Sequence, residues 1–173
     1  MEQLSHAAFA ISLVGGLHDV LTRRIPNWLT FPALGLGLAA QFWLLGWAGA
    51  LNGLLGAALG FALFFPIYLG GYMGAGDVKL QMVVGAWMGW WLALHVAFGA
   101  VIVGGVYAFF EVIARGRLVA VFRNGYSFLR ALLLPGLVAE RLRVDEQRKF
   151  AFGICIAASV AGVIYLQHSG RIS

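Results

Sequence analysis

Two aspartates stand out in a chain that otherwise avoids charge. Asp19 sits in "LHDVLTRRIPN", at the end of one apolar stretch, and Asp77 in "GYMGAGDVKL", at the start of another. A carboxylate in a membrane span is costly, so by default it is functional and faces a bundle interior or a wet cavity. Two carboxylates that converge at one depth can share a proton. One is then acid and the other base, and a water between them can attack a peptide carbonyl. Beside Asp77, the glycines at Gly74 and Gly76 permit positive φ and leave no side chain between the backbone and an extended peptide. Taken alone, Asp77 also fits a plainer role as a cap after a flexible turn.

The remaining polar residues point to less. Glu2 is terminal, and Glu140, Asp145 and Glu146 lie among arginines. Glu111 has Arg115 four residues on, at helical pairing distance. The single cysteine, Cys155, lies in an apolar run, which excludes a disulfide framework and zinc sites of paired C-x-x-C type. His6, His18, His95 and His168 show no metal-binding spacing. No metal or other cofactor is expected, and no phosphate-binding loop is present.

The elements that must carry the two aspartates follow from composition. Of 173 residues, 61% are hydrophobic and 11% charged, whereas soluble domains are about half apolar and about a quarter charged. The chain belongs in lipid, as a single domain over 1–173. Six apolar stretches predict a bundle of six transmembrane helices in an all-α membrane protein. They run over Leu4–Leu21, Trp28–Gly46, Ala50–Gly70, Val78–Leu92, Ala93–Ala114 and Phe150–Gln167. The fourth and fifth are divided near Trp90-Trp91, because tryptophan favours the membrane–water interface. Gly56-Ala-Ala-Leu-Gly60 and Gly85-Ala-Trp-Met-Gly89 are small-residue faces suited to close helix packing. Pro66 is expected to bend the third helix.

Charge gives the orientation. With six spans, eleven of the twelve basic residues fall in loops on one side and only Arg171 on the other. The positive-inside rule makes the crowded side cytoplasmic, so both termini point outward and both aspartates lie at the cytoplasmic edge. The stretch 117–149 mixes basic and apolar residues and predicts an amphipathic cytoplasmic segment lying on the anionic inner leaflet. Docking of substrate there is the alternative. Topology accounts for these charges, so a nucleic-acid partner is not expected.

"GAGDVKL" together with "DVLTRRIPN" resembles the type IV prepilin peptidases, membrane aspartyl proteases of the GxGD class. Ile25-Pro26-Asn27 is similar to the family's turn after the first aspartate. The resemblance implies that Asp19 and Asp77 are the catalytic pair, with Gly74 and Gly76 in the signature. It implies prepilin or pseudopilin substrates, cut at the inner membrane between a basic leader and an apolar helix. Lys79 would then position an acidic substrate residue, or serve only as a basic anchor at the membrane edge. The last helix departs from the family pattern at Ala151, where proline is expected. A cytoplasmic insert with paired cysteines is lacking, so the chain looks like the short stand-alone peptidases of tight-adherence (Flp-type) pilus systems, without N-methylation. Pilus-assembly machinery is an implied partner, and the oligomeric state is not legible. Two other classes stand beside this reading. A proton-coupled transporter would relay protons through the same carboxylates, though no inverted repeat is visible. A non-enzymatic pilus-assembly scaffold would use both aspartates only as helix caps.

Overall fold

The computed structural model describes residues 2–22, 24–70, 73–114 and 152–172. Within them every regular element is a helix: α1 (Glu2–Thr22), α2 (Asn27–Leu69), α3 (Ala75–Ala114) and α4 (Gly153–His168). Three apolar stretches are long enough to cross a membrane: Gln3–Thr22, Asn27–Leu69 and Ala75–Tyr107. α4 is apolar but shorter. Outward faces carry bare Leu36, Trp43, Phe98 and Ile102, a surface suited to lipid tails rather than water. The segment 117–149 lies outside the described residues, as do Arg23, Arg115 and the side chain of Glu111.

Where six separate helices are expected, four are found among the described residues, because each of two expected breaks is a single glycine rather than a loop. Gly46 (φ 65°, ψ −152°) interrupts α2, and Gly89 (φ 78°, ψ 173°) interrupts α3. Positive φ is cheap only for glycine, which lacks the Cβ that would clash there. Twelve residues along an uninterrupted helix span about 18 Å. Yet Gln81 Nε2 donates to the carbonyl of Ala93 at 3.0 Å, and a Cβ on Gly53 would stand 3.3 Å from the side chain of Gln41. Both helices therefore fold back on themselves as hairpins, with arms 27–45 and 47–69 in α2 and 75–88 and 90–114 in α3. Helical backbone continues through Pro66, and within α2 only Gly46 leaves it.

The breaks free backbone groups that lipid could not satisfy, and amide side chains take them up. Gln41 Nε2 donates to the Trp87 carbonyl at 2.9 Å. Asn52 Oδ1 accepts the Trp90 N–H at 3.3 Å and so caps the outgoing arm from a neighbouring helix. Trp87 Nε1 donates in turn to the carbonyl of Ala33 at 2.8 Å. Between these arms the two small-residue faces meet. Gly56 and Gly85 approach so closely that a Cβ on either would strike the other's backbone. Such contact gains dispersion over long stretches of backbone, the main attraction between helices in lipid.

α1 and α4 form a second, smaller unit against α3. They run antiparallel: Ser5 Oγ donates to Gln167 Oε1 at 3.2 Å near one end, and Gly16 meets Gly153 at the other. Ser159 Oγ ties α4 to α3 through the Val96 carbonyl at 2.8 Å. Cys155, free and buried, lies on the inward face of α4.

Candidate active site

Asp77 is the third residue of α3 and only 3% exposed. The chain enters this helix through Gly74, and the two residues are bonded reciprocally. Gly74 N–H donates to Asp77 Oδ2 at 3.1 Å, while Asp77 N–H donates to the Gly74 carbonyl at 3.2 Å. An acidic side chain three residues into a helix commonly reaches back in this way to the N–H of the capping residue. The bond holds Oδ2 and fixes the side-chain direction. Oδ1 is buried and completes no hydrogen bond among the described residues, although the Gly153 amide lies near the carboxylate.

Asp19 lies in the last turn of α1 and is 7% exposed. Its neighbour on α4 is again Gly153, where a Cβ would stand 3.5 Å from Asp19 Cβ. The first residue of α4 therefore adjoins both aspartates, one through its amide and the other through its missing side chain. Asp19 is close enough to Asp77 for the two charges to repel.

The turn between α1 and α2 closes this corner. His18 Nδ1 pairs with the Arg24 carbonyl at 2.8 Å, and Thr22 Oγ1 donates to the same oxygen at 3.0 Å. The next three residues each have a separate task. Ile25 is driven inward, and a Cβ on Gly76 would stand 2.9 Å from its Cβ. Pro26, extended at φ −73° and ψ 143°, starts α2, its carbonyl accepting from the N–H groups of Leu29 and Thr30 at 3.2 and 3.3 Å. Asn27 Oδ1 accepts from Lys79 Nζ at 2.7 Å.

One expectation changes here. Gly74 and Gly76 take no positive φ; among the described residues only Gly46, Gly89 and Gly170 do. At position 74 the backbone N–H, which any residue but proline would supply, holds Asp77, whereas Gly76 serves through the room its missing Cβ leaves for Ile25. Lys79 lies against the start of α2. Its ammonium bonds to Asn27 and lies 5.4 Å from the centre of the Phe31 ring, on the α2 side of the helix. Asp77, two residues earlier, faces α1 and α4.

This corner, with its paired carboxylates and "GAGDVKL" turn, lies within a stretch that a family model recognises. Residues 6–109, more than half of the chain, match the type IV leader peptidase family. The chain belongs to that family. It is accordingly an enzyme, an aspartic-type prepilin peptidase with membrane helices. No curated protein and no solved structure matches it. The matched stretch of this leader peptidase carries Asp19, Asp77 and the turn between α1 and α2, but stops short of α4. Sequence reasoning gave no role to Gly16 or Gly153. Their signal was faint: Gly16 is half of a Gly15-Gly16 pair and Gly153 a lone glycine, both in apolar runs. Gln41 and Gln81 offered a stronger one that went unused: a buried amide in an apolar helix must find a partner, and both grip backbone carbonyls.

Proposed function

We propose that this leader peptidase cleaves prepilin-like proteins with Asp19 and Asp77 as the catalytic pair. The supporting observation is that two buried carboxylates from different helices flank one residue, Gly153. One carboxylate, ionised, takes a proton from water, and the water oxygen attacks the scissile carbonyl carbon. The other, protonated, gives its proton to the carbonyl oxygen. The tetrahedral intermediate then collapses as the C–N bond breaks: the leaving nitrogen takes the proton held by the first carboxyl group, and the second takes one back from the diol as the carbonyl reforms. Two carboxylates so close do not both ionise cheaply, so the shared proton belongs to the pair.

The peptide being cut must be extended, since a helix hides its carbonyls in its own hydrogen bonds. The junction between a basic leader and an apolar helix meets that need at the membrane edge. Gly74 borders the path of the strand beside Asp77, while Gly76, packed on Ile25, and Lys79, bonded to Asn27, shape its edge from the turn into α2. Each arm of the two hairpins, with α1 and α4, crosses the inner membrane, making six spans. Trp43, Trp47, Trp90 and Trp91 flank the two breaks, as residues at a membrane–water interface do. The opposite end, with both aspartates, faces the cytoplasm, and both termini lie outside. The product's new amino terminus is left unmethylated, and no metal takes part.

Co-expression with a candidate prepilin tests this reading. A size shift on a gel is expected, with mass spectrometry showing a free, unmethylated new terminus. Cleavage by purified protein should survive a chelator. Loss of activity to a chelator with recovery on adding zinc, or a methylated terminus made by this protein alone, would contradict it.

A further inference from the structure

Gly153 lies outside the stretch that identifies the family, yet it is the residue shared by both aspartates. α4 spans sixteen residues, and the first N–H groups of any helix have no partner inside it. Cys155 and Ile156 direct theirs to the Phe152 carbonyl at 2.9 and 3.2 Å. The Gly153 amide instead lies near the carboxylate of Asp77, whose Oδ1 is buried and completes no hydrogen bond among the described residues. The other requirement is steric. A Cβ at position 153 would stand 3.2 Å from Gly16 Cα, 3.3 Å from Ile25 Cδ1 and 3.5 Å from Asp19 Cβ. From the opposite side, a Cβ on Gly16 would stand 2.9 Å from the Gly153 carbonyl oxygen. Two bare glycines thus let α1 and α4 touch backbone to backbone at the level of Asp19.

We propose that the first turn of α4 is part of the peptidase site, with Gly153 as a positioning residue. Its amide orients the Asp77 carboxylate, and its missing side chain lets Asp19 close on that carboxylate. This rests on the reading of Asp19 and Asp77 as the catalytic pair. Gly153 touches no reacting atom, so it acts through the two acids. Because the pair works only when both carboxyl groups reach one water, a displacement of well under an ångström lowers the chemical step. Prepilin binding depends on other surfaces and is spared.

The test uses the full chain in lipid vesicles with a purified prepilin, measuring kcat and KM separately. Gly153→Ala should lower kcat about tenfold or more and leave KM within about twofold of the parent, a split that general loosening of the fold would not give. Gly162, on the same helix, has open space where a methyl group would stand, with nothing within 4 Å, so Gly162→Ala should leave both constants unchanged. Adding Ile25→Val to Gly153→Ala removes one of the crowding atoms and should restore part of kcat. Replacing Gly153 with glycolic acid deletes the N–H without adding bulk. This ester variant should also lose about tenfold in kcat, and it decides the matter if the alanine variant does not accumulate. Wild-type kcat in either folded variant overturns the role of Gly153, as does a rise in KM alone. If Asp19→Asn and Asp77→Asn are inactive in the same assay, that outcome leaves the catalytic pair standing. If those two variants cleave normally, the pair itself is at fault.

Discussion

The α2–α3 unit and the α1–α4 unit are built alike from glycine contacts, but the contacts serve different ends. Between α2 and α3, Gly53, Gly56, Gly60 and Gly85 line a long seam against opposing backbone, and buried glutamines bind carbonyls at its bends. Between α1 and α4, one pair, Gly16 and Gly153, lies beside the two carboxylates. The first unit is scaffold, spread over many turns and far from the chemistry at most of them. The second concentrates its closeness where Asp19 must meet Asp77. Changes in the seam should therefore alter stability, and changes at the Gly16–Gly153 corner should alter turnover.

Gly85→Val should have the largest effect on stability. Its Cβ would run into the backbone of Gly56, which cannot move aside as a flexible side chain does. Overpacking of this kind costs about 3 kcal/mol, measurable as a lower midpoint of thermal unfolding in detergent. Any surviving folded fraction should retain normal kcat. A large kcat loss in folded protein would erase the distinction between the two units. Trp87→Phe is milder. It removes the donor to the Ala33 carbonyl and should cost about 1 kcal/mol, again without changing turnover. Smallest is Gly162→Ala, in open space on α4. It should leave stability unchanged or raise it by up to about 1 kcal/mol, the usual helix preference for alanine over glycine. A marked loss of stability would show that α4 is packed on a face now assigned to lipid.

How much of this was legible in the sequence varied with the kind of signal. The helical class and membrane setting follow from long apolar runs, which admit few other structures in lipid. The breaks were nearly placed: tryptophan preference put one at Trp90-Trp91, and it falls at Gly89, where positive φ is affordable. That each break would be one residue was not legible, because an apolar run does not show where a helix reverses. Asp19 and Asp77 stood out because charge is rare in such a chain. The work of Gly76 did not, since glycine marks equally an unusual dihedral and a missing Cβ. Only the three-dimensional structure separates these, assigning the second to Gly76. Gly153 was invisible for a further reason: its importance lies in what α1 and α3 bring to it, more than seventy residues away in the chain.

The most direct measurement is prepilin cleavage by Asp19→Asn and Asp77→Asn, each reconstituted in vesicles at the same level as the parent protein. Asparagine keeps the shape of each side chain but cannot hold or pass the shared proton. Each variant should lose about 10²–10⁴-fold in turnover, while its thermal midpoint stays close to that of the parent. Processing at the parent rate by either variant would contradict the paired-carboxylate account.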